Sequence, residues 1–396
     1  MTTFSATDPV VIVGAARTPM GGFQGELSDF TAAQLGAHAI GAALSRAGLG
    51  TDQVEEVIMG CVLPAGQGQA PARQAARGAG IPDGAGATTV NKMCGSGMQA
   101  AMFAHDMLRA GTNKVMVAGG MESMTNAPYL LEKARGGYRM GHGRVMDHMF
   151  LDGLEDAYDR GRLMGTFAEE CAQGYQFTRE AQDCFALASL ERARRRENLA
   201  AEIAPITVRT RKGETVIAED EQPRNARPEK IPTLKPAFRD GGTVTAANSS
   251  SISDGAAALA MMPLSEAERR GLTPLAAIRG HATHAQAPNL FTTAPVFALR
   301  KLLDKLAWKA ADVDLYEINE AFAVVTMAAM RELDLPHDKV NVHGGACALG
   351  HPIGASGARI LCTLLSALER HDLKTGVASL CIGGGEATAL AVERLA

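Results

Sequence analysis

The chain has 396 residues, 46% hydrophobic and 21% charged, with a formal net charge of −4 at neutral pH. That length exceeds one ordinary core of about 100 to 150 residues, so two domains or two fused halves are expected. The small negative charge gives no pull toward nucleic acid, and no window of about 18 uncharged apolar residues predicts a bilayer span.

The first residues, MTTFSATDPVVIVGAARTP, carry neither a basic start nor an apolar stretch of about 7 to 15 residues, so no targeting segment is expected. Cys61, Cys94, Cys171, Cys184, Cys347, Cys362 and Cys381 lack the short paired spacings of a disulfide framework. A reducing, cytoplasmic setting fits both observations.

Val10 to Val13 opens the chain as a buried strand. Gly66-Gln67-Gly68-Gln69-Ala70-Pro71 lacks the last glycine of a dinucleotide fingerprint, and no GxxxxGK[ST] phosphate loop occurs. Next comes Asn91-Lys92-Met93-Cys94-Gly95-Ser96-Gly97-Met98, a small-residue turn leading into a helical stretch from Met98 to Arg109. A cysteine where a helix begins meets free backbone N–H groups and the positive end of the macrodipole, which should lower its thiol pKa and favour the thiolate. A small buried cysteine at a tight turn would read the same way. A strand at Val115 to Ala118 follows and ends in Gly119-Gly120-Met121-Glu122.

From Ser123 to Ser251 the character changes. This stretch holds Met124, Met140, Met146, Met149 and Met164, a charged helix around Arg179 to Arg196, and a Pro-rich piece from Gln222 to Pro236. It reads as an insertion forming a lid or binding surface, with the methionines as adaptable packing. His281 and His284 lie three apart with no third ligand near them in sequence, so no metal site is expected.

A strand from Asp314 to Ile318 runs into a helical pattern from Ala321 to Leu333, with Asn319 and Glu320 at the junction; an Asn there can cap the helix or serve a reaction. The loop from Gly350 to Gly357 precedes a long helix, Ile360 to Arg370, and carries His351, whose imidazole can act as a base or donor near neutral pH. Gly354-Ala355-Ser356-Gly357-Ala358 only approaches a GxSxG elbow. Cys381-Ile382-Gly383-Gly384-Gly385 follows the buried run Val377 to Leu380, and its glycines could free backbone N–H groups for an oxyanion or merely form a flexible turn.

Two of these segments are distant copies: CGSGMQAAMFAHDMLRAGTNKVMVAGGMES from Cys94 and GASGARILCTLLSALERHDLKTGVASLCIGGGEA from Gly354. Each is a turn, a helix, a buried strand and a Gly-Gly-x-Glu close, so a duplicated α/β architecture is predicted.

Together VVIVGAARTPMGGFQG, GGMESM, GTVTAANSSSISDGAA, NEAF, GHPIGASGAR and CIGGG resemble the thiolase superfamily in its motif order and over nearly the whole chain, most of all the short-chain acetyl-CoA acetyltransferase type. The resemblance implies two βαβαβαββ halves packed as five α-β-α-β-α layers. The first half would span 1–122 and 252–273, an inserted loop domain for coenzyme A binding and oligomer contacts 123–251, and the second half 274–396. It implies reversible Claisen condensation of two acetyl-CoA to acetoacetyl-CoA and CoA through an acyl-Cys94 intermediate, with no cofactor beyond the substrate coenzyme A. His351 would take the Cys94 proton and Cys381 would move the proton α to the second thioester. The incoming carbonyl would be held by His351 and an Asn319-bound water, and the acyl oxygen by the N–H groups of Cys94 and Gly383.

Coenzyme A contacts would map to Met164, Ala246, Ser250, Ala321 and Phe322, with Arg224 and Lys230 nearer the phosphates. A homotetramer, no nucleic acid and no membrane partner complete the implication. Leu163 departs from the family, which usually carries a His before the Met. Competing readings are a decarboxylating condensing enzyme, which would not need Cys381, a silent CoA-binding scaffold and a Cys-His-Asn hydrolase.

Overall fold

The computed structural model describes residues 8–210 and 213–395. Part of the N-terminal stretch read for a targeting signal, residues 1–7, lies outside the described residues. No described helix is long and apolar enough to cross a membrane.

The first half alternates strands β1 (Val10–Arg17), β2 (Glu56–Gly60), β3 (Gly86–Val90), β4 (Met116–Ser123) and β5 (Ser253–Pro263) with helices α1 (Ala32–Ala47), α2 (Pro71–Gly78) and α3 (Ser96–Arg109). Between β4 and β5 the chain forms α4 (Met164–Tyr175) and α5 (Arg179–Ala193). The second half has β6 (Ala276–Ala285), α6 (Ala294–Leu306), β7 (Leu315–Ile318), α7 (Ala323–Leu333), α8 (Ser356–Arg370), β8 (Thr375–Ile382) and β9 (Glu386–Glu393).

Local sequence explains the element ends. Thr31 caps α1 in a capping box: its hydroxyl accepts the Gln34 N–H, the Gln34 side chain accepts the Thr31 N–H, and left-handed Gly48 closes the helix at φ 67°. The run Leu35, Ala39, Ile40, Ala43 and Leu44 lies on one face and is buried against the first-half strands. Strands β4, β5 and β8 are buried on both faces, which is why they read as continuous runs of small and apolar residues rather than alternating ones.

The duplication predicted from sequence is visible in the topology. In the first half the spatial order is β3-β2-β4-β5-β1, parallel for β3-β2-β4 and antiparallel for β4-β5-β1. In the second half β7-β8-β9-β6 repeats that order and polarity, and a parallel bridge from Tyr316 to Val340 stands where the copy of β3 would pair. The halves join edge to edge where β1 and β6 share two pairs, Val11–Ala277 and Ile12–Ala276.

Five layers result. Helices α1 and α2 cover one outer face, α6 and α7 the other, and α3 and α8 lie between the sheets. The two central helices touch backbone to backbone. A Cβ on Gly97 would lie 2.8 Å from the Ala358 nitrogen, and one on Gly357 would lie 2.3 Å from that of Met98. Only glycine permits this approach, which brings the N-terminal loops of the duplicated helices, one carrying Cys94 and the other His351, side by side.

Within the insertion the methionines divide. Met124 and Met149 are buried as packing, whereas Met140 is 96% exposed, contrary to the expectation for it. The charged stretch forms α5 and a short separate turn, Arg196–Leu199, rather than one helix.

Candidate active site

Cys94 sits two residues before α3, in a loop held by its own Asn91 and Ser96 side chains. The Lys92 N–H donates to Ser96 Oγ at 2.8 Å, the Ser96 hydroxyl donates to Met93 O at 2.6 Å, and the Met93 N–H donates to Asn91 Oδ1 at 2.9 Å. Met93 takes φ 47°, a left-handed conformation that a non-glycine residue holds only where its surroundings enforce it. Gly95 lies so close to Ile382 that a Cβ would be 2.4 Å from Ile382 Cδ1, which presses this loop onto the Cys381–Gly385 turn.

Cys94 does not have the lowered pKa expected at a helix start. Burial lifts it to about 11, and the backbone N–H groups of Gly383 and Cys94 only partly offset that. Desolvation therefore outweighs those two N–H groups, and the resting group is a thiol. The same two N–H groups are the pair expected around the acyl oxygen.

His351 is buried, and one of its ring nitrogens has a defined partner. Nδ1 lies 2.5 Å from Ser356 Oγ, and the Ser356 hydroxyl gives its proton to Pro352 O at 2.9 Å. Ser356 must then accept, so Nδ1 carries the imidazole proton and Nε2 presents a lone pair. Nε2 has no partner among the described residues. Burial, and after it the charge of Arg359, depress the pKa to about 3, so the ring is neutral near pH 7.

Asn319 does not cap the following helix. Helix α7 starts at Ala323, with Phe322 at its cap position and no side-chain cap bond. Instead the Asn319 N–H donates to Ser379 O at 3.0 Å, tying it to β8, the strand that carries Cys381. Its Oδ1 accepts from the Arg359 guanidinium at 3.3 Å, and its Nδ2 is buried without a partner among the described residues. Arg359, the last residue of GHPIGASGAR though the motif gives it no role, thus orients Asn319 so that its donor is free.

Cys381 is 1% exposed, and its thiol is pushed well above the ordinary range by burial and then by the neighbouring Cys94 sulfur. It shares an apolar cluster with Met164, Ala321 and Phe322, three of the expected coenzyme A contacts, and with Phe167, Phe238 and Phe291. Met164 Sδ would lie 3.7 Å from a Cβ on Gly383. Ser250 donates both its N–H and its hydroxyl to Ala321 O at 3.0 Å, so it braces this wall. Ala246, Arg224 and Lys230 are exposed, and Arg224 is already paired with Glu26 at 2.5 Å. Leu163 is half-buried directly before α4, next to Arg162, whose guanidinium lies 3.8 Å over the Phe167 ring.

All seven cysteines are free. His284 is not joined to His281 in any ligand set; it bonds Gln286 at 3.1 Å. His281 instead meets two residues remote in sequence. It and His105 both bond the Asp106 carboxylate, at 2.9 and 3.0 Å, so the three satisfy one another on the outside of α3 and β6.

Two family descriptions match this sequence: Thiolase, N-terminal domain, over residues 10–265, and Thiolase, C-terminal domain, over residues 272–394. Acetyl-CoA acetyltransferase 2 of Arabidopsis thaliana is 50% identical over 393 residues, covering 98% of this chain and 97% of the relative. Acetyl-CoA acetyltransferase of Cupriavidus necator is 48% identical over 390 residues, covering 97% and 99%. The crystal structure of the Bacillus anthracis acetyl-CoA acetyltransferase superposes with a TM-score of 0.94 at 42% identity, covering 98% of this chain and 99% of that one.

Proposed function

The chain belongs to the thiolase family, and from that premise we propose that Cys94, His351, Cys381, Asn319 and Gly383 carry out its reaction, the reversible joining of two acetyl-CoA into acetoacetyl-CoA and CoA. It is an acetyl-CoA acetyltransferase, as relatives about half identical over nearly full length are named. The observation that carries the site assignment is the pair of buried, unpartnered atoms, His351 Nε2 and Asn319 Nδ2. Buried polar atoms without partners are costly, and this acceptor and donor stand where a thioester, or a water held against it, would supply the missing bonds.

The first half-reaction follows from the resting charges. With thiol and imidazole both neutral, charge separates only during the reaction: His351 Nε2 takes the Cys94 proton as the sulfur attacks the acetyl carbonyl. The N–H groups of Cys94 and Gly383 stabilise the oxyanion. The departing CoA sulfur collects the proton from His351 and leaves an acetyl thioester on Cys94.

The second half-reaction starts when the Cys381 thiol, held up mainly by burial, releases its own proton to solvent and leaves a thiolate in the apolar pocket. A thiolate of raised pKa is also a stronger base, which suits a poorly acidic α-proton. Cys381 takes that proton from the second acetyl-CoA, the carbanion attacks the Cys94 acetyl group, and the Cys94 sulfur leaves and recovers the proton from Cys381.

Met164, Ala321 and Phe322 line the apolar wall for the pantetheine arm, Ser250 and Ala246 flank it, and Arg224 and Lys230 face the phosphates from the surface. Arg224 must leave Glu26 to do so. Residues 123–251 serve as the coenzyme-A-binding insertion between halves 1–122 with 252–273 and 274–396, and the protein works as a cytoplasmic homotetramer with no cofactor besides its substrate. Incubation with acetyl-CoA followed by peptide mapping tests the assignment: one acetyl group on Cys94 is expected, and label on Cys381 or a serine with Cys94 unmodified overturns it.

A further inference from the structure

The two Gly-Gly-x-Glu segments that close the duplicated units, Gly119–Glu122 and Gly383–Glu386, end in glutamates that each contact the opposite half. Glu122, near the end of β4 in the first half, is fully buried. Its Oε2 accepts the N–H of Gly354 at 2.9 Å, three residues after His351 in the second half. The same carboxylate accepts the N–H of Val62 at 2.9 Å and of Leu63 at 3.2 Å, and the Cys61 thiol at 3.5 Å. Burial lifts its pKa to about 7. Three backbone donors nevertheless aim at it: two come from the loop after β2 in its own half, and the third from the loop that carries His351.

The seat of that loop is cut to match. Cβ atoms on Gly60, Gly97 and Gly120 would lie 2.7, 3.1 and 2.0 Å from the Gly354 carbonyl oxygen, and one on Gly354 itself would lie 2.6 Å from Glu122 Oε2. Four glycines and one carboxylate therefore fix the backbone beside His351. In the other direction Glu386, the first residue of β9 in the second half, forms an ion pair with Lys92, two residues before Cys94 in the first half. The side chains of that pair are 25% and 36% exposed.

Resting on the catalytic reading above, we propose that Glu122 and Glu386 are reciprocal positioning residues: each half reaches across through its own Gly-Gly-x-Glu to hold the catalytic loop of the other. Glu122 sets the backbone from which His351 aims Nε2, and Glu386 sets the one from which Cys94 aims its sulfur. Nucleophile and base sit on different halves, so their separation depends on contacts between the halves, and these two are the charged ones at the loops themselves. A displacement of about 1 Å between reacting groups can cost on the order of a hundredfold in rate.

The test compares Glu122→Gln, Glu122→Asp and Glu386→Gln with the unaltered enzyme in single-turnover acetylation of Cys94, in steady-state thiolysis and in thermal unfolding. Glu122→Asp keeps the charge but falls short of Gly354, and it stands in if the Gln variant does not fold. Each folded variant should acetylate Cys94 at least about tenfold more slowly, with kcat falling and KM for the thioester nearly unchanged. Exchanging the exposed pair, Lys92→Glu with Glu386→Lys, should recover most of the rate that Lys92→Glu alone loses. Folded variants that melt earlier but acetylate at the unaltered rate, or an exchanged pair with no recovery, would overturn the proposal and leave the glutamates as structural. Absence of label on Cys94 in the unaltered enzyme would instead remove the catalytic reading and this inference with it.

Discussion

Replacing Ser356 by alanine removes a group that touches no substrate, yet it should slow the reaction, because Ser356 selects the tautomer of His351. Its hydroxyl is committed to Pro352 O at 2.9 Å and so receives the Nδ1 proton at 2.5 Å. Without that acceptor, a buried Nδ1–H loses its partner, at a cost of about 1–3 kcal/mol. The ring relieves the cost by moving the proton to Nε2, the atom that must accept from Cys94. At about 1.4 kcal/mol per factor of ten, the productive tautomer and the rate of Cys94 acetylation should fall roughly 5- to 150-fold. Rapid-quench mass spectrometry of the intact protein with acetyl-CoA measures that step, and circular dichroism confirms folding. A folded Ser356→Ala variant that acetylates at the unaltered rate would show that Ser356 does not orient the base, and the tautomer deduced here would be wrong.

His351→Ala removes base and carbonyl contact together, so both half-reactions should drop by at least about a hundredfold in a folded variant, read as kcat for thiolysis of acetoacetyl-CoA and as acetylation rate. Stability should also fall in acid for a reason separate from catalysis. Burial depresses His343 from 6.5 to about 4, so its neutral form contributes stability that is complete above about pH 6.5 and is lost as pH falls toward 4, in total about 3 kcal/mol. Urea unfolding midpoints at pH 7 and pH 4.5 should lie closer together in His343→Gln than in the unaltered chain; an unchanged gap would exclude His343 as the cause.

Most of the fold could be read from periodicity and repetition. The buried runs at Val10, Val115 and Val377 became β1, β4 and β8, and aligning the segments that begin at Cys94 and Gly354 anticipated that α3 and α8 would be equivalent. What the sequence could not supply was the third dimension of charge. A cysteine before a helix suggests a low pKa by local rules, whereas burial by residues far along the chain raises Cys94 to about 11. Asn319 has the residue type of a helix cap, but Arg359, forty positions away, takes its oxygen. Ser356 was the most findable of the missed residues. The repeat aligns it with Ser96, and both hydroxyls pin the loop behind them, to Pro352 O and Met93 O. Glu122 and Arg359 stand in the GGMESM and GHPIGASGAR motifs, but nothing local gives them a task, since their partners Gly354 and Asn319 lie far along the chain.

The division of labour between the two cysteines is the centre of the account, and solvent deuterium exchange into the methyl group of acetyl-CoA reads it most directly. Cys381→Ser should still accept an acetyl group on Cys94, because that step uses Cys94, His351 and two backbone N–H groups but no carbon acid. A serine hydroxyl is too weak a base near pH 7, so exchange by the variant should fall on the order of 10²–10⁴-fold below the unaltered enzyme. Exchange at the unaltered rate in a Cys381→Ser variant that still acetylates Cys94 would show that another group abstracts the α-proton, and the role given to Cys381 would be contradicted.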